Sequence, residues 1–261
     1  MLTHGGNLSS AAKEYDIPED QWLDLSTGLN PVAWSLEEPV PNKYLTRLPY
    51  PDQDLKQSAI SYYGTQNILP IAGSQAAIQV LPQIIETSSV AVPAIGYEEH
   101  RYHWHKNDHT LLPYNPYHDD LLTIARQHQP QVILVINPNN PTGALYSDEL
   151  LKQIIEVAKE YNLIIMADEI YDRILYDDNV HTPMSTLTDE VLVLSYNGLS
   201  KSHRIAGFRS GWMMVSGRKQ HAADFIEGLD MLASMRLCSN VQGQYAIQTA
   251  MGGYQSMQDL T

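Results

Sequence analysis

Four segments of this sequence carry side chains that can do covalent or acid-base chemistry, and each lies just after a run of apolar residues. In chain order they are Gly73-Ser74-Gln75, Asn140, Asp168 with Tyr171, and Ser200-Lys201 with Arg209. A lysine amine can form a Schiff base with a carbonyl compound, and a carboxylate can hold a proton on a nitrogen base. An arginine and a helix N-terminus can bind an anion such as a phosphate. Brought together by a fold, these segments would build one site.

The residues between these segments alternate between apolar strands and amphipathic helices. The apolar runs predict strands at 68–71, 90–92, 131–136, 163–167, 191–196 and 211–216. Helical spacing predicts helices at 54–64, 74–85, 119–128, 217–237 and 242–251, and one from a Ser147 cap to Asn162. Strands that are apolar throughout and separated by helices indicate an α/β fold, a three-layer α/β/α arrangement around a mostly parallel sheet.

The positions of these segments in the predicted sheet favour a joint function. Ligands of open parallel sheets bind beyond the carboxyl ends of the strands, and all four segments lie at such ends. Taken singly, each has an ordinary structural explanation, such as a helix cap or a surface charge. Taken together, they are what a pyridoxal phosphate site needs. A lysine forms the Schiff base, an aspartate holds the pyridine nitrogen protonated, and donors bind the phenolate and phosphate oxygens.

The sequence resembles the fold type I pyridoxal phosphate enzymes of the class I/II aminotransferase group. The resemblance rests on Asn140-Pro141-Thr142-Gly143, Asp168-Glu169-Ile170-Tyr171, and Ser200-Lys201 with Arg209. It implies an aspartate aminotransferase-like large domain in which Lys201 is catalytic and Asp168 contacts the pyridine nitrogen. The other implied cofactor contacts are Asn140 and Tyr171 at the phenolate oxygen, Tyr97 on the ring face, and Gly73, Ser74, Gln75, Ser200 and Arg209 at the phosphate. Tyr50 would reach the phosphate of a neighbouring subunit, which implies a homodimer.

The two halves of the chain resemble different members of this group. Residues 1–136, with Thr3-His4-Gly5-Gly6-Asn7, are similar to threonine-phosphate decarboxylases of cobalamin biosynthesis. Residues 137–261, with Asn197-Gly198-Leu199-Ser200-Lys201, are similar to bacterial alanine aminotransferases. Of 15 prolines, 12 precede residue 137, whereas 8 of 9 methionines follow it, which agrees with a seam near residue 137. A natural recombination, a designed fusion and an assembly error would each produce such a seam.

The resemblance also implies a division into an N-terminal arm, residues 1–49, and a cofactor-binding large domain, residues 50–261. The family's C-terminal small domain, which supplies the arginine for the substrate carboxylate, would be absent, so we expect impaired transamination because the substrate is less well positioned. Three functions stay open. They are an aminotransferase acting on an amino acid such as alanine with an α-keto acid acceptor, a threonine-phosphate decarboxylase, and a non-catalytic remnant that binds the cofactor.

The composition excludes other classes of function. With 16 Lys and Arg against 30 Asp and Glu, the formal charge of −14 leaves no basic face for nucleic acid or an anionic membrane. The single cysteine, Cys238, excludes an intrachain disulfide, and residues 1–20 lack the apolar segment of a signal peptide, so we expect a cytoplasmic protein.

No metal site is expected at a group of four histidines, because their spacing fits no single helix or strand face and no Cys or paired carboxylates complete a set of ligands. These histidines are His100, His103, His105 and His109. The expected partners are small amino and keto acids.

Overall fold

The computed structural model describes residues 5–29, 32–35, 39–50, 53–63, 67–118, 120–217, 219–232 and 239–252. Several residues on which the sequence analysis relied lie outside this set. They are Thr3, His4 and Cys238, together with residues 64, 119, 218 and 233–237 of three predicted helices. Everything that follows concerns the described residues.

The described residues form seven strands and nine α-helices. The strands are β1 (Ile68–Ile71), β2 (Ser89–Pro93), β3 (Thr110–Tyr114), β4 (Val132–Ile136), β5 (Ile164–Asp168), β6 (Val193–Gly198) and β7 (Gly211–Ser216). The helices are α1 (Leu8–Tyr15), α2 (Gln53–Tyr63), α3 (Ser74–Ile84), α4 (Glu98–Lys106), α5 (Asp120–His128), α6 (Asp148–Tyr161), α7 (Leu199–Ser202), α8 (Lys219–Leu232) and α9 (Val241–Gly252). The six predicted strands and the predicted helices are confirmed to within about two residues at the ends that the structure describes.

The seven strands form one mostly parallel sheet, as predicted. Their order is β1-β7-β6-β5-β4-β2-β3, and β7 runs antiparallel to both of its neighbours while the other pairings are parallel. Because β7 is antiparallel to both β1 and β6, these two strands run in the same direction. The carboxyl ends of β1, β4, β5 and β6 therefore lie along one edge of the sheet.

Helices cover both faces of the sheet, which confirms the predicted three-layer arrangement. Strand β4 shows why, since Val132 and Leu134 belong to one buried cluster while Ile133 and Val135 belong to another. Side chains of α3, α4 and α8 complete the first cluster, and side chains of α5 and α6 complete the second. A third cluster packs α2 and α9 against β1 and β7. A strand buried on both faces has no polar alternation, which is why these strands read as continuous apolar runs.

Four elements were not predicted, namely α1, α4, α7 and β3, and of these α4 and β3 have weak apolar patterns. In α4, seven of nine residues are Glu, His, Arg or Lys, and Trp104 alone supplies a large buried aromatic. The edge strand β3 buries only its last residue, Tyr114, and contains Pro113. The histidines that showed no periodicity therefore occupy α4 and the turn after it, where polar contacts within the fold compensate for low hydrophobicity.

The N-terminal arm packs on the segment that follows Lys201. The Trp34 amide donates to the His203 carbonyl at 3.0 Å, and the two rings meet edge to face with centroids 5.4 Å apart. Farther along, the Gln244 side chain donates to the carbonyl of Pro49 at 2.9 Å, which fastens the end of the arm to α9. The division between arm and large domain at residue 50 stays a prediction. Among the described helices, none combines the length and hydropathy that a membrane span requires.

Candidate active site

A cleft of about 200 Å³ lies at the carboxyl edge of the sheet, where the predicted segments converge. Nine of the eleven predicted site residues line it, namely Ser74, Gln75, Tyr97, Asn140, Asp168, Tyr171, Ser200, Lys201 and Arg209. Its apolar wall consists of Leu29, Ile78, Ile136, Ile170 and Ala206. The cleft therefore gathers residues from four strand ends and from the arm, as the topology requires.

The Asp168 carboxyl is the buried polar centre of the cleft. Asp168 is the last residue of β5 and only 3% exposed, and its Oδ2 accepts from His100 Nε2 at 2.9 Å. Its Oδ1 accepts from the Ile170 amide at 3.2 Å. The Tyr196 hydroxyl lies 3.4 Å from the His100 ring nitrogens on the buried side. Hydrogen bonds of this kind compensate a carboxyl group for the loss of water.

Lys201 and Tyr171 face each other across the cleft. Lys201 Nζ lies 5.5 Å from the centroid of the Tyr171 ring. Burial disfavours the ammonium form and lowers the pKa of Lys201, so more of its amine is neutral than in an exposed lysine. Burial, reinforced by the charge of Asp168, raises the pKa of the Tyr171 phenol. At neutral pH the phenol therefore keeps its proton and can donate it to an acceptor in the cleft.

The arm passes next to these two residues. A methyl group on Gly28 would lie 3.0 Å from the Tyr171 hydroxyl oxygen and 3.7 Å from Lys201 Nζ. Any larger side chain at this position would enter the space between them. Gly28 is thus a residue at the site that was not predicted from the sequence, and Leu29 beside it also lines the cleft.

The other end of the cleft is suited to an anion. Helix α3 begins at Ser74 without a side-chain cap, and Ser74 and Gln75 of its first turn line the cleft, so the positive end of the helix dipole lies there. Gly73 has a φ of +78°, and a methyl group there would lie 3.1 Å from Arg209 Nη2, so glycine permits the close approach of the guanidinium. Arg209 is itself held by a hydrogen bond from Nη1 to the Ala206 carbonyl at 3.0 Å.

The ring-sized middle of the cleft lies between Tyr97 and the strand ends. Tyr97 immediately precedes α4 and meets His100 edge to face, with centroids 6.2 Å apart. Burial is the main cause that raises the pKa of the Tyr97 phenol. Asn140 lies within a turn in which the Asn139 side chain accepts from the Thr142 hydroxyl at 2.8 Å and the Asn139 carbonyl accepts from the Gly143 amide at 2.7 Å. This turn fixes the backbone that carries Asn140.

The donor set fits pyridoxal phosphate along the whole length of the cleft. One end offers an arginine and an uncapped helix N-terminus, the middle offers aromatic and apolar walls, and the other end offers a buried carboxyl beside a half-buried lysine. These are the features that hold a phosphate, a planar ring and a protonated ring nitrogen, respectively. The assignment of each contact stays a prediction.

Tyr50 and the histidine cluster are not among the predicted residues that line the cleft. Tyr50 is 66% exposed and does not line the cleft, and its predicted contact with a neighbouring subunit stays a prediction. The histidine cluster contributes a residue that the sequence analysis missed, because His100 reaches Asp168 from the first turn of an unpredicted helix. In the part of the chain that the structure describes, no three His, Cys, Asp or Glu side chains are grouped to hold a metal.

Comparison with known proteins identifies the family. The profile of "Aminotransferase class I and II" matches residues 23–261. The chain belongs to this family. A crystal structure of an aminotransferase from Escherichia coli superimposes with a TM-score of 0.78 at 36% identity, covering 97% of this chain and 69% of that one. The aspartate aminotransferase of Thermus thermophilus superimposes with a TM-score of 0.66 at 18% identity and so supports the fold, covering 79% of this chain and 56% of that one.

Two curated relatives correspond to the two kinds of protein that the sequence resembles. The glutamate-pyruvate aminotransferase of Escherichia coli K12 is 61% identical over 127 residues, which are 49% of this chain and 31% of that protein. The threonine-phosphate decarboxylase of Pseudomonas aeruginosa is 34% identical over 220 residues, which are 82% of this chain and 62% of that protein. The chain thus spans about a third of the alanine-type relatives and three fifths of the decarboxylase. The seam near residue 137 stays a prediction.

We predict that His100→Ala lowers the free energy of unfolding by about 3 kcal/mol, because the buried Asp168 carboxyl loses a donor and a cavity is left. Urea unfolding monitored by circular dichroism measures the effect. The matched control is His105→Ala, an exposed histidine on the same helix, for which we expect a change within about 0.5 kcal/mol. Equal stability of the two variants would show that Asp168 does not depend on His100.

Proposed function

We propose that this chain forms the pyridoxal phosphate-binding part of an aminotransferase that acts on a small amino acid such as alanine, with an α-keto acid as acceptor. The observation that carries the proposal is the convergence of Lys201, Asp168 and Arg209 in one cleft at the carboxyl edge of the sheet. Membership of the class I and II aminotransferase family supports it. The alanine and pyruvate specificity is drawn from relatives named glutamate-pyruvate or alanine aminotransferase.

Pyridoxal phosphate supplies an aldehyde that captures amines and a ring that accepts carbanion electrons. Lys201 contributes the amine, and its lowered pKa favours the neutral form that can attack a carbonyl carbon or take up a proton. Asp168, whose Oδ2 accepts from His100, would contact the ring nitrogen and stabilise a proton there. We assign Lys201 as the catalytic residue and Asp168 as the electrostatic partner of the ring.

The remaining residues bind and orient. Tyr171 and Asn140 would donate to the phenolate oxygen, and Tyr97 would pack on the face of the ring. The phosphate would be held by the α3 N-terminus, beside the close approach at Gly73, and by Ser74, Gln75, Ser200 and Arg209. Gly28 lies next to Tyr171 and Lys201, and Leu29 adds an apolar side chain to the lining of the cleft. These contacts would hold the reacting atoms in place, and such positioning lowers the barrier of a reaction.

A homodimer with shared sites is part of the proposal. The arm exposes large apolar side chains that a second copy of the chain would cover. The most exposed of them are Leu23, Leu25, Leu48, Tyr15 and Val32, and Tyr50, which directly follows the arm, is also exposed. Tyr50 would then lie against the phosphate end of the partner's cleft. A chain with one cysteine suits the reducing cytoplasm, where we propose that it acts.

A second candidate is decarboxylation of threonine phosphate. The relative of that name covers 82% of this chain, more than the aminotransferases of higher identity do. The two reactions use the same cofactor site and differ in which bond of the substrate is held perpendicular to the ring. Groups around the substrate carboxylate make that choice, so the cofactor contacts described above are compatible with both.

We predict that the purified protein takes up pyridoxal phosphate and develops a visible absorption band that borohydride abolishes. Lys201→Ala should lack this band because the amine that engages the aldehyde is gone. The control, Lys159→Ala, removes a lysine that pairs with Glu190 on another surface, and it should keep the band. Soluble, folded protein without a Lys201-dependent band would contradict the proposal and favour a non-catalytic remnant.

We predict that the loaded protein converts alanine and an α-keto acid to pyruvate and the corresponding amino acid. With threonine phosphate, we expect no 1-aminopropan-2-yl phosphate. Mass spectrometry of both reaction mixtures distinguishes the two candidates. Release of 1-aminopropan-2-yl phosphate and carbon dioxide without pyruvate formation would favour the decarboxylase.

A further inference from the structure

A second buried acid lies directly behind the cleft. Glu169 follows Asp168 in sequence and is only 2% exposed. Its amide donates to the Tyr196 carbonyl at 3.0 Å, so the backbone continues the pairing of β5 with β6 and turns the side chain into the protein. The cofactor contacts proposed above make no use of Glu169. A buried carboxyl of this kind needs a structural or functional reason.

The Glu169 carboxyl ties together the two ends of the chain segment that carries Tyr171. This segment comprises residues 170–184 and is called the tyrosine loop here. Glu169 Oε1 accepts from the Met184 amide at 2.7 Å, at the far end of the loop. Met184 itself is 1% exposed and belongs to a buried cluster, so this hydrogen bond joins Glu169 to a residue of the core.

The near end of the loop is fixed by short-range hydrogen bonds. The Asp172 amide donates to the Glu169 carbonyl at 2.9 Å, and the Ile174 amide donates to the Tyr171 carbonyl at 2.9 Å. Tyr171 therefore occupies a tight turn whose first residue is Glu169. A side chain that holds residue 184 against residue 169 closes the loop and limits the positions that this turn can take.

Burial and the neighbouring charges favour the neutral form of the Glu169 carboxyl. Burial raises the pKa of Glu169 well above its usual range, and the charges of Asp172 and Asp168 act in the same direction. Burial, together with the charge of Arg173, lowers the pKa of the neighbouring His181 to about 4. His181 Nε2 lies 3.7 Å from Glu169 Oε1. A neutral carboxyl still offers a carbonyl oxygen to the Met184 amide, and a glutamine would offer the same oxygen.

We propose that Glu169 is a positioning residue that holds the Tyr171 phenol in the cleft by closing the tyrosine loop onto Met184. The value of this position for catalysis rests on the proposed function, in which Tyr171 donates to the cofactor. The loop closure itself involves only residues of this chain. It can therefore be tested with and without pyridoxal phosphate.

The first test follows the titration of Tyr171 in the cofactor-free protein by NMR of ¹³Cζ-labelled tyrosine, with Tyr171→Phe to assign the resonance. In Glu169→Leu, which fills the volume but offers no acceptor, we expect the pKa of Tyr171 to fall toward its ordinary value as the phenol leaves its buried position. Glu169→Gln should titrate like the wild type. Glu99→Leu, the loss of a buried acid on α4, is the matched control and should leave Tyr171 unchanged.

The second test measures the retention of pyridoxal phosphate. We expect Glu169→Leu and Tyr171→Phe each to weaken binding about tenfold, and the double variant to be no weaker than either, because both remove the same contact. Additive losses, or a Tyr171 titration that Glu169→Leu leaves unchanged, would overturn the proposal. If Glu169→Leu does not fold, Glu169→Asp, which withdraws the carboxyl by one methylene, replaces it. Failure of the wild type to bind the cofactor would refute the proposed function, while the titration still decides the role of Glu169.

Discussion

The hydrogen bond between Asp168 and His100 is the interaction on which the arrangement of the site depends. A carboxyl at the end of a central strand lies among apolar side chains, and it is stable there only if donors replace the lost water. His100 supplies such a donor from α4, and Ile170 supplies a second from the backbone. This hydrogen bond brings the first turn of α4 to the carboxyl end of β5, and Tyr97, which precedes α4, lies beside the cleft. One buried polar pair thus fixes the position of several other groups.

The parallel sheet explains why the remaining residues converge. Strands β1, β4, β5 and β6 run in one direction, so the loops that follow them meet at one edge. Each loop then adds one kind of group, a helix N-terminus, an amide, a carboxyl or an amine. Glycines at 28 and 73 let the arm and the Arg209 guanidinium come close to these groups. The site is therefore a consequence of topology together with a few positions where a side chain would not fit.

The parts of this structure that are predictable from sequence are those with local signals. Strands such as β4 are apolar at every residue, and α6 carries a serine cap that the structure confirms, since Ser147 Oγ accepts from the Leu150 amide. Helix α4 has no such signal, because its stability comes from contacts made by Trp104 and by polar residues. His100 could not be paired with Asp168 because 68 residues separate them. Gly28 likewise could not be assigned to the site from the sequence, because its role depends on the arm lying next to Tyr171.

Three contacts at the site join the two halves of the chain, and each crosses residue 137, where the sequence analysis predicts a seam. They are the pairs His100 with Asp168, Gly73 with Arg209, and Gly28 with Tyr171. A working site requires all three to be compatible. The most direct measurement is to reduce the pyridoxal phosphate-loaded protein with borohydride, digest it and locate the attached pyridoxyl group by mass spectrometry. We expect the group on Lys201, and a label spread over exposed lysines with none on Lys201 would contradict the existence of this site.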